Sequence, residues 1–137
     1  MTAIVYHRRH GDTRYYAQLL ADRLHTLGRR AQQVPVAEAS PHEVAVARAL
    51  VLLSPVMLGH IHGAALARDV AMARPTAIVA VGETDVPEHV RGLFNEEQRR
   101  NIEFFALPGG EPAMEDVVPL AAWVAGLPGL AEDPDLL

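Results

Sequence analysis

A chain of 137 residues that is 50% hydrophobic and 21% charged has the length of one domain and enough apolar side chains to bury a core. It contains neither cysteine nor lysine, which excludes disulfides, thiolate metal sites, Schiff-base chemistry and any phosphate loop that depends on a lysine. The formal net charge of -5 gives no polycationic footprint for nucleic acid, and Arg, His or Pro interrupts each apolar stretch before it could span a bilayer.

The first apolar run, residues 3–6, reads as a buried strand. It leads directly into His7, Arg8, Arg9 and His10, so no secretory leader is expected and the expected location is cytoplasmic. Residues 14–27 carry Tyr16, Leu19, Leu20, Leu24 and Leu27 at helical spacing, with Gly28 where a C-terminal cap glycine belongs. Residues 31–36 predict a weaker strand that Pro35 assigns to a sheet edge. Ser40, Pro41 and Glu43 carry the signature of a helix start. Residues 49–53 form a continuous apolar run suited to a central strand covered on both faces. A helix over 63–73, a strand over 76–81, a helix over 86–100 and a strand over 102–107 follow. A last helix over 114–125 contains Pro119, which predicts a late start or a kink. The segment from Gly126 to the end is expected to fray.

Five strands alternating with helices predict one α/β domain over residues 1–137, a parallel sheet with helices on both faces. In such sheets ligands bind outside the carboxyl ends of the strands. The loops that matter are therefore 6–13, 54–62, 82–87 and 108–112. Arginine is dense before residue 31 and absent after Arg100, while acids crowd the last third, so an anionic ligand is expected near the N-terminal end. The first loop adds a helix N-terminus, whose unpaired N–H groups and dipole favour a phosphate.

Tyr6 through Ala17, with Gly11-Asp12-Thr13 opening a helix, resembles the phosphate loop of the flavodoxins. Ser54-Pro55-Val56-Met57-Leu58-Gly59-His60-Ile61-His62 resembles that family's second flavin loop, particularly the Gly-His-x-His stretch of the menaquinone-dependent protoporphyrinogen oxidase branch. The resemblance implies a flavodoxin-like, doubly wound, three-layer fold with strand order 2-1-3-4-5, and FMN as cofactor. Carried over by position, the cofactor-binding residues are Arg8, Arg9, His10, Gly11, Asp12 and Thr13 in the first loop and Ser54, Pro55, Val56, Met57, Leu58, Gly59 and His60 in the second. Gly82, Glu83 and Thr84 complete the set after the fourth strand. Arg8 and His10 stand where the family has hydroxyls, and no aromatic stands on either later loop. The late insertion of the oxidase branch is missing.

His60 and His62, with His7 and His10 on a neighbouring loop, could instead meet as zinc or copper ligands, although loop histidines without a complete ligand set are common and no metal is assigned. The acids of a receiver domain, the glycines of a dinucleotide site and the Gly-x-Ser-x-Gly of a hydrolase elbow are all lacking. The expected function is FMN-dependent electron transfer or oxidoreduction with a small-molecule or protein redox partner, homodimerisation being left open. The alternative is a cofactor-free binding or regulatory module on the same fold.

Overall fold

The apolar runs become the centre of a five-stranded sheet. A computed structural model of the chain describes residues 1–42 and 44–128 and contains strands β1 (Thr2–Tyr6), β2 (Ala31–Pro35), β3 (Ala49–Pro55), β4 (Thr76–Val81) and β5 (Ile102–Leu107). Their order is β2-β1-β3-β4-β5 and every neighbouring pair is parallel. β2 lies at an edge, as Pro35 requires. The helices are α1 (Gly11–Thr26), α2 (Ala64–Ala71), α3 (Glu88–Arg91), α4 (Glu96–Arg99) and α5 (Met114–Ala125), with a short 3-10 turn at Val36–Glu38.

Because strand side chains alternate, each strand feeds two cores. Ile4, Val51, Leu53, Ala77 and Val79 pack with Tyr16, Leu20 and Leu24 of α1 and Leu120 and Val124 of α5. Ala3, Val5, Leu50, Leu52 and Ile78 belong to the second core, with Ala67 and Val70 of α2, Val90 of α3, and Phe94. All seven residues of β3 are buried, and each large aliphatic side chain there contributes roughly 1.5–3 kcal/mol relative to exposure. The register places Tyr6 beside Pro35 and Leu53, and Val81 between Pro55 and Leu107. The strands therefore end nearly level, and the loops that follow them crowd one edge of the sheet.

Helix α1 starts three residues before the periodic pattern does, because His10 supplies a cap. It ends as predicted: Gly28 has φ +74°, its N–H donates to the His25 carbonyl, and the Arg29 N–H donates to Leu24. Three expectations need correction. The helix predicted from Ser40 does not form among the described residues; Glu43 lies outside them. Residues 41–42 and 44–46 are turns, and Nη1 of Arg74 takes up the carbonyls of Val44, Ala45 and Ala47 at 2.9, 3.2 and 2.7 Å. The helix predicted over 86–100 is divided into α3 and α4. Asn95 restarts the chain with a capping box, its side chain accepting from the Gln98 N–H at 2.8 Å while Gln98 accepts from the Asn95 N–H at 2.9 Å. α5 starts at Met114 and runs on through Pro119, neither late nor divided, with Asp116 reaching back to the Ala113 N–H at 3.0 Å. Gly126 and Leu127 donate to Ala122 and Val124 and so continue its last turn, while residues 129–137 lie outside the described residues.

Candidate functional site

A helix N-terminus needs acceptors for its first N–H groups, and α1 finds one in His10. The imidazole Nδ1 accepts from the Thr13 N–H at 3.2 Å and lies 2.7 Å from Thr13 Oγ1. The bond from the Thr13 N–H makes Nδ1 the acceptor nitrogen of the ring. Thr13, read as a phosphate ligand, is fully buried, with its N–H and hydroxyl both committed to His10. The N–H groups of Gly11 and Asp12 have no acceptor among the described residues, and the space beside Gly11 is open. Asp12 adds a carboxylate to the same turn, favourable to the helix dipole and repulsive to an incoming anion. Arg8 forms an exposed ion pair with Glu38 at 3.0 Å, an interaction worth at most about 1 kcal/mol. Arg9 is exposed and has no ion pair among the described residues.

The loop after β3 contains two different structures. Ser54 and Pro55 are buried; Ser54 Oγ accepts from the His62 N–H at 3.0 Å and donates to the Pro55 carbonyl at 2.8 Å. These two predicted ligands therefore fasten the ends of the loop instead of facing solvent, and Val56 packs against the second core. Between them Met57 and His60 exchange two backbone hydrogen bonds of 2.9 Å around Leu58 at φ +51° and Gly59 at φ +81°. Positive φ at both central residues defines a type I′ hairpin turn. Met57 is 57% exposed and Leu58 98% exposed, so the turn holds an apolar pair in water. A Cβ at Gly59 would lie 3.4 Å from Cδ2 of His89, a residue of α3 with no sequence signal for this position.

Of the four candidate histidines, the fold joins His7 and His62, whose rings meet edge-on with centroids 4.1 Å apart. His10 is occupied by Thr13, and His60 remains on the exposed hairpin. No group of three or more His, Asp or Glu is spaced to hold a metal among the described residues. Burial lowers the His7 pKa below the ordinary histidine value, and charge on His62, His10 and Arg9 lowers it further, against an opposing contribution from its own backbone. Its Nδ1 is buried without a partner.

The last two loops touch each other. Gly82 turns at φ +88°, its N–H and that of Glu83 donate to the Leu107 carbonyl at 2.8 and 3.3 Å, and a Cβ on Gly109 would lie 3.4 Å from the Gly82 Cα. Thr84 is exposed and Glu83 half-buried, while Asp85 accepts from the Val86 N–H at 2.8 Å. Tyr16 anchors the β5–α5 loop through its hydroxyl, 2.7 Å from the Pro108 carbonyl and 3.2 Å from Asp116 Oδ2. The predicted loops thus line one edge of the sheet, with cations at β1, exposed apolar side chains at β3 and a glycine turn at β4. On the β2 side of that edge a cavity of about 480 Å³ lies between the first loop, Val36 and Ala37, and Gly63. Val36 falls at the end of the strand predicted over 31–36, and no sequence signal marks Ala37.

Parallel strands in this order, with helices on both faces and the loop cluster at their carboxyl ends, define the flavodoxin-like fold. The chain superposes on a flavodoxin from Megasphaera elsdenii with TM-score 0.65 and 17% identity, covering 90% of this chain and 99% of that one. A Streptococcus pneumonia flavodoxin gives TM-score 0.63 and 18% identity over 90% and 97%. The flavodoxin-like domain of a Synechococcus protein gives 0.58 and 20% over 93% and 100%. No family model matches the sequence, and no curated protein matches it either. No helix among the described residues is long and apolar enough to cross a membrane.

Proposed function

We propose that the chain binds FMN in the crevice at the carboxyl ends of β1, β3 and β4 and serves electron transfer or flavin-dependent oxidoreduction with a small-molecule or protein redox partner. The observation that carries this reading is the junction at Gly11, where two free helix N–H groups, open space and the unpaired Arg9 occur together. That donor set fits a phosphate. Gly11 and Asp12 would hold it by their N–H groups and Arg9 by charge, and His10 would swing off Thr13 to free a further N–H and a hydroxyl. Met57 and Leu58 offer the ring system apolar contact in place of an aromatic plane. The cofactor, when bound, supplies one- and two-electron chemistry. The chain's own residues position it and shield it from water.

The His10 cap also supports a second reading, the cofactor-free binding or regulatory module, because the helix has already satisfied internally two of the donors that a phosphate would use, the N–H and hydroxyl of Thr13. One titration separates the two. FMN and riboflavin are added to the purified protein and followed by flavin fluorescence; FMN should bind clearly more tightly. Equal affinity removes the phosphate site, and no binding of either flavin leaves the cofactor-free reading.

A further inference from the structure

The cavity beside β2 shares Arg9 with the proposed phosphate site, but Gly11–Thr13 and Gly82–Thr84 take no part in its lining. We infer that it is a binding site for a small organic carboxylate with a flat apolar body. Its volume of about 480 Å³ lies within the range of small-molecule pockets. One wall is apolar, from Val36 and Ala37, and another is aromatic, from the His7 and His62 rings in edge-on contact. The mouth carries two guanidinium groups. Arg8 is already paired with Glu38, which leaves Arg9 as the unpaired cation. With Arg8 paired, one guanidinium charge faces the cavity without a carboxylate partner. A single guanidinium fork matches a planar monoanion.

The floor adds polarity of the same sign. Gly63 is the N-cap of α2, no side chain caps this helix, and no acid occupies its first turn. Gly63 cannot be replaced freely, because a Cβ there would lie 2.8 Å from Leu52 Cδ1 and 3.0 Å from Val36 Cγ2 at φ +88°. The missing side chain seats the positive end of α2 directly against the Val36 wall. Burial of Ser54, with its bond to the His62 N–H, fixes the approach of His62 from the other side.

The test uses benzoate as probe and benzamide as its neutral isostere, each titrated into isotopically labelled full-length protein while amide and histidine-ring resonances are followed. Benzoate should saturate, shifting Ala37, Gly63, Ala64 and the His7 and His62 rings, with benzamide at least about tenfold weaker. Arg9→Gln, at an exposed position, should weaken benzoate about tenfold, and FMN too, since both sites use this guanidinium. Ala37→Phe should fill the cavity and remove benzoate binding while leaving the FMN titration unchanged, so failure here is distinct from failure of the flavin reading. Equal binding of benzoate and benzamide, shifts confined to Gly11–Thr13, or an Arg9→Gln variant that binds benzoate as the parent does would each overturn the inference.

Discussion

Tyr16 shows how far a single residue can be read in a sequence. Its place in the helical pattern marks it correctly as core, and it is 1% exposed. What the pattern cannot reveal is the use of its hydroxyl, because the partners Pro108 and Asp116 are 92 and 100 positions away. His10 is a similar case. Imidazole is not a usual N-cap, and only the folded loop shows its Nδ1 turned onto Thr13. Burial, reinforced by the Asp116 carboxylate, pushes the Tyr16 pKa up to about 12. The native state therefore holds this proton more firmly than the unfolded chain, whose tyrosine titrates near 10. The corresponding stability is complete below pH 10 and is lost as pH rises through about 12. Tyr16→Phe should lose about 1–2 kcal/mol at pH 8, where the Pro108 carbonyl is left without its donor. It should also lack the alkaline decline, so the gap between parent and variant narrows as pH rises from 10 to 12. Urea unfolding at pH 8 and at pH 11 measures both, and a gap that stays constant would contradict the role of the hydroxyl.

Among the elements, the strands and long helices were legible because their side-chain periods are set by burial, whereas the short connections depend on which polar group reaches a carbonyl first. Ser40 and Pro41 are a sound helix start, yet Arg74 takes the carbonyls of Val44, Ala45 and Ala47 that further helical turns would use. Asn95 and Gln98 did announce the division of the 86–100 segment, since Asn-x-x-Gln is a capping box inside an otherwise helical pattern. The hairpin Met57–His60 could not be read at all, because type I′ turns favour Asn-Gly and this one is Leu-Gly. A leucine in the left-handed region is strained by roughly 1–2 kcal/mol, and at 98% exposure Leu58 recovers almost none of that through burial. Leu58→Asn should therefore raise the stability of the protein by about 1 kcal/mol. If Leu58 covers the flavin ring, the same variant should weaken FMN binding, separating function from stability. Thermal unfolding together with the FMN titration checks both, and a less stable variant would assign Leu58 a packing role that its exposure contradicts.

At the scale of the whole molecule, the alternation of strands and helices made a parallel sheet covered on both faces legible, and the apolar run over 49–53 a central strand, while the order β2-β1-β3-β4-β5 came only from the resemblance to the flavodoxins. The carboxyl ends of the strands were marked as the place for a candidate site by topology alone. The composition of that site was not legible, because Ser54 and Thr13 turn inward and His7 finds His62 only once β1 and β3 are paired. That pairing influences the stability of the entire fold. His7 is held below the ordinary histidine pKa, first by burial and then by the charges of His62, His10 and Arg9. The unfolded chain therefore binds a proton at position 7 at a higher pH than the native state does. Stability is complete above about pH 6.5 and is lost as pH falls through the depressed native value. Carboxylates also contribute to acid unfolding at lower pH, so the comparison that isolates this group is between the parent and His7→Phe, which keeps a ring against His62 but cannot be charged. Urea midpoints should converge, or cross in favour of the variant, as pH is lowered from 7 to 5. His62→Gln should give an intermediate slope, since it removes one repelling charge and leaves the burial. Parallel pH dependences in all three proteins would mean that His7 takes up its proton in the native state as readily as in the unfolded chain, and the acid sensitivity of the fold would then lie in its carboxylates.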